Sequence, residues 1–295
     1  MSRFQSFRFT VAVVVILAAA LPALARSRIV IAAGMQGGNY FRIGERLKTE
    51  LILRKETLPV LEATEGSLEN IMRLRDASSP VNVSLVQADA LRFYLNENDD
   101  FREEFFVLGD MGKECVLLIA SQAGEVQSAA DLKQRPAGTL SVGGPGSGAA
   151  VTYKAMTSLA PEFSATQPVY EPIMEALLQL KTGSEFTRLR GVMLVQRPSR
   201  ESRPIQVVLD NRDIYRFVAI TTDDVPNLSL PDGTPVYSFE KVQVGGKSRP
   251  ERPDVQTLCT RALLLGSRAK LDRELRDTLS TVMFEVRDQI AGTDP

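Results

Sequence analysis

A strand and a helix follow one another three times in the first part of the chain, and a glycine-containing turn joins them in the first two units. The first unit has an apolar run at residues 29–33, a turn with three glycines, and a helix whose apolar residues recur every fourth position from Ile43 to Leu51. Two more units begin at residues 59–64 and 82–87. Repeated units of this kind predict a parallel sheet covered by helices, which is an α/β architecture.

The same pattern starts again after an interruption. Residues 122–125 are polar or small and follow two apolar strand-like runs, so we expect the chain to cross there into a second lobe. A second series opens with a strand and a glycine-rich turn at residues 139–148. Near the end, an apolar strand at 255–265 and a helix with an apolar stripe follow a polar linker. The chain therefore predicts two α/β lobes.

The first 25 residues have the composition of a secretory signal. Arg3 and Arg8 precede an uncharged run at 11–21, and the segment ends in Ala-Leu-Ala at 23–25, a small-residue cleavage site. The apolar run is shorter than the roughly 20 residues that a membrane-spanning helix needs. We expect a cleaved signal peptide, residues 1–25, and a periplasmic protein; a retained membrane anchor is the alternative.

The charge of the chain argues against a nucleic-acid partner. The formal net charge is −1, and removal of the signal peptide takes away two arginines and no acid, which makes it −3. The one arginine-rich segment, residues 197–203, also carries Pro198 and Glu201, so we expect a solvated loop there. A basic surface that could displace counterions from phosphates is therefore not predicted.

The chain contains no histidine and only two cysteines, which removes several kinds of site. Ser-His-Asp and Cys-His catalysis depend on histidine, and two cysteines cannot form a four-cysteine zinc site. We therefore expect no metal, no cofactor and no enzymatic activity, with catalysis by Lys154 or a cleft carboxylate as the alternative. Cys115 and Cys259 lie in apolar, strand-like runs, so a disulfide and two buried thiols are both consistent with the sequence.

Each predicted lobe has a glycine-rich turn between its first strand and its first helix, at residues 34–40 and 143–149. Exposed amides and the positive end of the helix dipole at such a turn favour a carboxylate or a phosphate. Nucleotide-binding motifs do not fit, because the second turn lacks the lysine of a P-loop. Two turns that face one cleft predict a site that holds a small anion from both sides. A tight connection without a ligand is the alternative for each turn.

Five short motifs occur in the order seen in one family of binding proteins. They lie at residues 33–40, 62–70, 85–89, 128–133 and 142–148. Together they resemble the TAXI family of TRAP-transporter solute-binding proteins. The resemblance covers nearly all of the chain after the predicted signal peptide and is densest in its first half.

The resemblance implies a two-lobed type II periplasmic-binding-protein fold with hinge strands. Lobe 1 would comprise residues 26–121 and 256–295, and lobe 2 would comprise residues 122–255. A ligand such as glutamate, glutamine or 2-oxoglutarate would bind between them. The implied ligand-binding residues are Gly38, Asn39, Tyr40, Thr64, Ser67 and Gln87 in lobe 1, and Gly146, Ser147 and Gly148 in lobe 2. Ser67 as a helix N-cap and Tyr40 as a core residue are the structural alternatives.

The resemblance also bears on the cysteines and on partners. In that fold the strands of Cys115 and Cys259 are neighbours, which favours a disulfide. We expect a monomer that carries a small carboxylate through the periplasm to a TRAP-type membrane permease. Two alternatives are a sensor that works with a membrane kinase, and an interaction module whose cleft is filled by side chains. Arg197 is either a clamp for the ligand carboxylate or a surface arginine.

Overall fold

The structure is a computed structural model that describes residues 28–55, 58–97, 101–134, 138–183, 188–229, 233 and 235–292. The expected signal peptide lies outside the described residues. None of the helices in these ranges is long and apolar enough to cross a membrane.

Ten strands form one sheet in the described ranges. They are β1 Val30–Ala32, β2 Val60–Glu62, β3 Val83–Gln87, β4 Phe105–Ser121, β5 Gly138–Ser141, β6 Thr166–Val169, β7 Leu189–Gln196, β8 Tyr215–Val218, β9 Ser238–Gln243 and β10 Asp254–Ser267. The α-helices are α1 Asn39–Lys55, α2 Ser67–Arg75, α3 Ala88–Glu97, α4 Phe101–Glu104, α5 Gly148–Leu159, α6 Ile173–Thr182, α7 Arg203–Asp210 and α8 Arg273–Ala291. Two short 3₁₀ helices span Ala129–Lys133 and Pro161–Ala165.

The sheet is parallel at both ends and antiparallel in the middle. Its main path runs β2-β1-β3-β10-β4-β7-β5-β6, while β8 pairs with β4 and β9 with β10. We call β1–β3 with their helices and α8 the first lobe, and β5–β7 with α5, α6 and α7 the second lobe. The long strand β10 pairs with β3 of the first lobe, β4 pairs with β7 of the second lobe, and the two strands pair with each other, so we call them the hinge strands. The sequence predicted two separate strands where β4 is continuous, because its polar centre still pairs with β10.

Three apolar clusters hold the fold together. One lies between the first-lobe sheet and the helices α1 and α8, and includes the apolar stripe of α8 from Leu275 to Ile290. A second packs α6 and α7 against the second-lobe sheet. The third contains residues of both lobes, such as Leu91 of α3 and Val151 of α5. Because this cluster is shared, burial of apolar surface favours contact between the lobes.

Two local expectations were wrong. Ser67 was expected to cap α2, but Gly66 occupies the N-cap position and the buried Ser67 hydroxyl accepts a hydrogen bond from the Gln87 amide at 3.0 Å. Residues 197–203 were expected to form a solvated loop, but Arg197 and Arg200 are half-buried in it and donate hydrogen bonds to the first lobe and β4. Tertiary contacts decide both cases.

Cys115 of β4 lies opposite Cys259 of β10 in the antiparallel register. Their Cα atoms are 3.9 Å apart and their Sγ atoms are joined in a disulfide of 2.03 Å. The bridge connects the two hinge strands beside the cleft between the lobes.

Candidate functional site

The two lobes face one another across a cavity of about 640 Å³. The apolar part of its wall consists of Met35, Val142, Ala149, Tyr170, Pro172, Ile173, Met193, Leu194, Val195 and Pro204. The polar side chains that line it are Asn39, Tyr40, Glu65, Ser67, Gln87, Glu114, Ser147, Glu171, Gln196, Arg200 and Ser202. A mostly apolar wall with a few convergent polar groups is typical of a small-molecule site.

Most residues that the sequence suggested as ligand contacts border this cavity. They are Gly38, Asn39, Tyr40, Ser67 and Gln87 from the first lobe, and Ser147 and Gly148 from the second. Thr64 is buried away from the cavity and donates its hydroxyl to Asn70 Oδ1 at 2.6 Å. Gly146 packs against Glu65 at the contact between the lobes. Neither of these two residues lines the cavity.

The glycine-rich turns bring two helix N-termini to the cavity. The α5 helix begins at Gly148, and its N-cap Ser147 accepts a hydrogen bond from the Ala150 amide at 3.2 Å. The same Ser147 hydroxyl donates to the Val142 carbonyl at 2.7 Å, so the hydroxyl serves its own lobe. The α1 helix begins at Asn39 on the opposite wall. The positive ends of two helix dipoles therefore lie at this cavity, one on each side.

Glycine backbones form the contact between the lobes at the edge of the cavity. A Cβ atom at Gly66 would overlap the carbonyl oxygen of Gly146, and a Cβ atom at Gly148 would overlap the Gln87 side chain. Gly66 also has φ of +139°, a conformation that favours glycine. The lobes can approach this closely only because these positions have no side chain.

A buried polar cluster links the lobes behind the cavity. Asp89 at the start of α3 accepts hydrogen bonds from the Thr152 hydroxyl of α5 at 2.6 Å and from the Tyr237 hydroxyl at 3.2 Å. Burial raises the pKa of Asp89 above its ordinary value, and these hydrogen bonds oppose the shift. The cluster holds α3 and α5 in one relative position.

Glu114 is a carboxylate on the hinge strand β4 at the floor of the cavity. Its side chain is 4% exposed, and its Oε1 atom accepts a hydrogen bond from Asn39 Nδ2 at 2.9 Å. Burial raises the pKa of Glu114, while the hydrogen bond from Asn39, the neighbouring Tyr40 phenol and the positive charge of Arg197 lower it. The cavity thus has a buried acidic group that its own lobes neutralise only in part.

Tyr40, in the first turn of α1, lies beside Glu114 of β4. Burial, followed by the negative charge of Glu114, raises the pKa of the phenol well above its ordinary value. Its buried hydroxyl makes no hydrogen bond of normal geometry to any described residue. A buried hydroxyl without a partner costs free energy, so this atom is suited to bind a ligand.

Two arginines reach from the segment between β7 and α7 towards the opposite side of the cleft. Arg197 donates to the carbonyl of Met111 on β4 and does not line the cavity. Arg200 lines the cavity, and its Nη2 atom donates to the carbonyl of Gly37 at 2.8 Å. The Nε atoms of both arginines are buried without a partner among the described residues. Arg200 is therefore the one cationic side chain among the described residues that line the cavity.

Glu171 and Ser202 complete the second-lobe side of the site. Glu171 Oε2 accepts a hydrogen bond from Gln179 at 2.7 Å, while its Oε1 atom is buried without a hydrogen bond within the described ranges. The Ser202 hydroxyl is also buried and without a partner there. Among the described residues, no three acidic or cysteine side chains lie close enough together to hold a metal ion.

The sequence matches the NMT1-like family over residues 31–294, which is most of the chain. The chain belongs to the NMT1-like family. No curated protein matches the chain. The match includes the cavity walls in both lobes, so the site lies inside the region that defines this NMT1-like protein.

Solved structures resemble this NMT1-like protein in fold. XAC2383 from Xanthomonas citri bound to ATP is 11% identical, with a TM-score of 0.54, and the match covers 90% of this chain and 86% of that chain. The same protein bound to chloride ion gives 11% identity and a TM-score of 0.54, with 91% and 85% covered. At this identity the likeness concerns the fold alone. The predicted two-lobed α/β fold with hinge strands is confirmed.

Several site residues of the NMT1-like protein were not found by motif analysis. Glu114, Glu171 and Arg200 lie outside every glycine-rich motif, and only the distant pairing of chain segments brings them to the cavity. One signal was available for Glu114: it is a single acidic residue directly before an apolar strand run. A charge at that position is unusual in a buried strand unless it has a partner or a function.

Proposed function

We propose that this NMT1-like protein is the periplasmic solute-binding subunit of a TRAP-type transporter of the TAXI kind. It binds a small carboxylate such as glutamate, glutamine or 2-oxoglutarate between its lobes and delivers it to a membrane permease. It acts as a monomer and does not transform the ligand.

One observation carries the proposal. The N-termini of α1 and α5, one from each lobe, line a single cavity together with Arg200. Helix N-termini and a guanidinium both stabilise a carboxylate, and their placement on opposite walls couples binding to closure of the lobes. Seven of the nine suggested contact residues line the same cavity, which supports the proposal further.

The first experiment identifies the ligand. The full chain is expressed with its own N-terminus, recovered from the periplasm and denatured gently, and the released small molecules are identified by mass spectrometry. We expect an amino acid or an oxo-acid, and a mature N-terminus at Arg26. An uncharged sugar or nucleoside, or a nucleotide such as the ATP bound to XAC2383, would contradict the carboxylate proposal.

The second experiment tests the role of Arg200 in anion binding. Calorimetry with the wild type should give a Kd of about one micromolar or tighter for the identified carboxylate. Arg200→Gln should weaken binding at least about tenfold, because it removes the only cationic side chain among the described lining residues. Arg188→Gln, on the surface of the second lobe, is the control and should leave the Kd unchanged.

The third experiment separates transport from sensing. Closed membrane vesicles that contain a TRAP-type permease encoded beside the gene for this protein should take up the radiolabelled carboxylate only when the loaded protein is added. Uptake that does not depend on this protein, together with stimulation of a membrane kinase by the loaded form, would favour the sensor alternative.

A further inference from the structure

The charge of the cavity is not that of a simple anion site. Among the described residues that line it, three are carboxylates, Glu65, Glu114 and Glu171, and one is a guanidinium, Arg200. Glu65 is exposed at the rim, whereas Glu114 is buried and Glu171 half-buried. A ligand with negative charges alone would bring like charges together near the floor of the cavity, which is unfavourable where the dielectric constant is low.

Two of these carboxylates come from opposite sides of the cleft and are held in the same way. Glu114 on the hinge strand β4 has Oε1 fixed by the Asn39 amide, and the Tyr40 phenol beside it also stabilises the carboxylate. Glu171, just before α6, has Oε2 fixed by the Gln179 amide, and its buried Oε1 has no partner among the described residues. Both carboxylates are therefore held by neutral groups, and Glu171 retains one buried acceptor oxygen.

The cations near Glu114 do not form an ion pair with it. Arg197 acts on Glu114 through its charge, but its guanidinium donates to the Met111 carbonyl and lies outside the cavity wall. Arg200 donates to the Gly37 carbonyl across the cleft. A buried carboxylate that only neutral groups hold is costly, and a cation that reaches it lowers that cost.

We propose that Glu114 and Glu171 bind a cationic group of the ligand, so that the ligand is a zwitterion with an ammonium as well as a carboxylate. An ammonium has three donors and no acceptor, which matches two carboxylate oxygens from opposite walls. The carboxylate of the ligand then lies towards Arg200 and the helix N-termini. This inference rests on the proposed function and chooses among its ligands: it favours an amino acid over an oxo-acid.

The test compares ligands with and without an ammonium group. L-Glutamate, 2-oxoglutarate and glutarate share two carboxylates, and putrescine carries ammonium groups without a carboxylate. We expect the wild type to bind L-glutamate at least about tenfold more tightly than 2-oxoglutarate or glutarate. Equal affinity for the three would overturn the inference and leave the proposed function standing.

Variants then assign the effect to the two carboxylates. Glu114→Gln and Glu171→Gln each keep the shape and remove the charge, and should weaken L-glutamate at least about tenfold while 2-oxoglutarate is unchanged or tighter. Glu240→Gln, which removes a carboxylate paired with Lys113 outside the cavity, is the matched control and should change neither affinity. Unchanged binding of L-glutamate by folded Glu114→Gln would contradict the assignment of Glu114.

Failure of the two proposals can be told apart. Binding of putrescine with no binding of any carboxylate would sink the carboxylate function but support the cation site at Glu114 and Glu171. Failure of all four ligands would overturn both. Thermal unfolding of every variant shows that a lost affinity is not a lost fold.

Discussion

At the scale of single residues, the approach of the two lobes depends on glycines that leave no room for a side chain. Gly66 and Gly146 meet backbone to backbone at the edge of the cavity. A contact of this kind acts as a stop, because any added atom on either side holds the lobes apart.

Gly66→Ala should therefore weaken ligand binding at least about tenfold, since the added methyl group overlaps the Gly146 carbonyl in the closed form. Calorimetry with the identified ligand measures the effect. Gly183→Ala is the control: Gly183 also has a positive φ, of 66°, but a Cβ there meets nothing within 4 Å. A similar loss of affinity in both variants would mean that backbone strain, and not the contact between lobes, is responsible.

Lys270 is a second residue whose role is set by its surroundings. Its ammonium donates to the carbonyls of Arg73, Asp76, Ser79 and Val81 at 2.6–3.0 Å, and so ties the segment after α2 to the start of α8. Burial lowers the pKa of this lysine, and the nearby Asp76 opposes that shift.

Lys270→Met should lower the free energy of unfolding by about 2–3 kcal/mol, because it leaves several carbonyl groups without their charged donor. Urea unfolding measures the change. Lys181→Met on the exposed end of α6 is the control and should change stability by less than about 0.5 kcal/mol. Equal effects of the two substitutions would show that the carbonyl contacts contribute nothing.

At the scale of secondary-structure elements, the hinge strands β4 and β10 connect the lobes. The Cys115–Cys259 bridge joins these strands over a sequence separation of 144 residues. It lies next to Glu114, so it also holds the floor of the cavity.

We predict that the protein isolated from the periplasm has no free thiol, and that Cys115→Ala with Cys259→Ala lowers the free energy of unfolding by about 4–5 kcal/mol. The reason is that a bridge closing so long a loop restricts the unfolded chain. Thiol titration under denaturing conditions and urea unfolding check the two parts. Two titratable thiols in the native exported protein would disprove the bridge.

The contact between α3 and α5 makes stability depend on pH. Burial raises the pKa of the Asp89 carboxyl in the folded state. The hydroxyls of Thr152 and Tyr237 donate hydrogen bonds to this carboxyl, and Glu114 and Tyr40 lie within electrostatic range of it. A raised pKa means that the folded state holds this proton more tightly than the unfolded state does. The contribution of Asp89 to stability is thus largest below its unfolded pKa and is lost as the pH rises through its folded pKa.

The difference in free energy of unfolding between the wild type and Asp89→Asn should therefore fall with rising pH, by at most about 1.4 kcal/mol per pH unit. Urea unfolding of both proteins from pH 4 to pH 7.5 measures it. Asp277→Asn on the exposed face of α8 is the comparison and should give no such trend. A constant difference for Asp89→Asn would show that the carboxyl does not titrate in this range.

At the scale of the whole molecule, the described structure has its lobes in contact through an apolar cluster, a polar cluster and paired glycines. We propose that the lobes divide at residues 121/122 and 255/256, which lie at the end of β4 and the start of β10. Bending of the two hinge strands would open the cavity between the lobes.

Binding of the ligand should then make the molecule more compact and protect backbone amides in the cleft from hydrogen exchange. We expect a smaller radius of gyration by X-ray scattering, and slower amide exchange at the starts of α1 and α5, when the identified ligand is added. Exchange in the core of β3 should not change. No compaction, with protection spread evenly over both lobes, would contradict a hinge at these positions.

The sequence by itself was enough to predict the α/β class, the two lobes, the positions of most elements and the two glycine-rich turns. These follow from local patterns: apolar periodicity within an element, and glycine where the backbone must turn or a neighbour must come close. Of the seven suggested contact residues that line the cavity, five lie in these turns, while Ser67 begins α2 and Gln87 ends β3.

Only the tertiary structure decided which distant groups share the cavity. Arg200 meets Gly37 across 163 positions of the chain, and Glu114 meets Asn39 across 75. The tertiary structure also decided that the Ser67 hydroxyl accepts a hydrogen bond from the Gln87 amide and does not cap α2. Charge and hydrogen bonding act through space, so their outcome depends on which strands pair and how closely the lobes approach, and no local pattern in the chain specifies either.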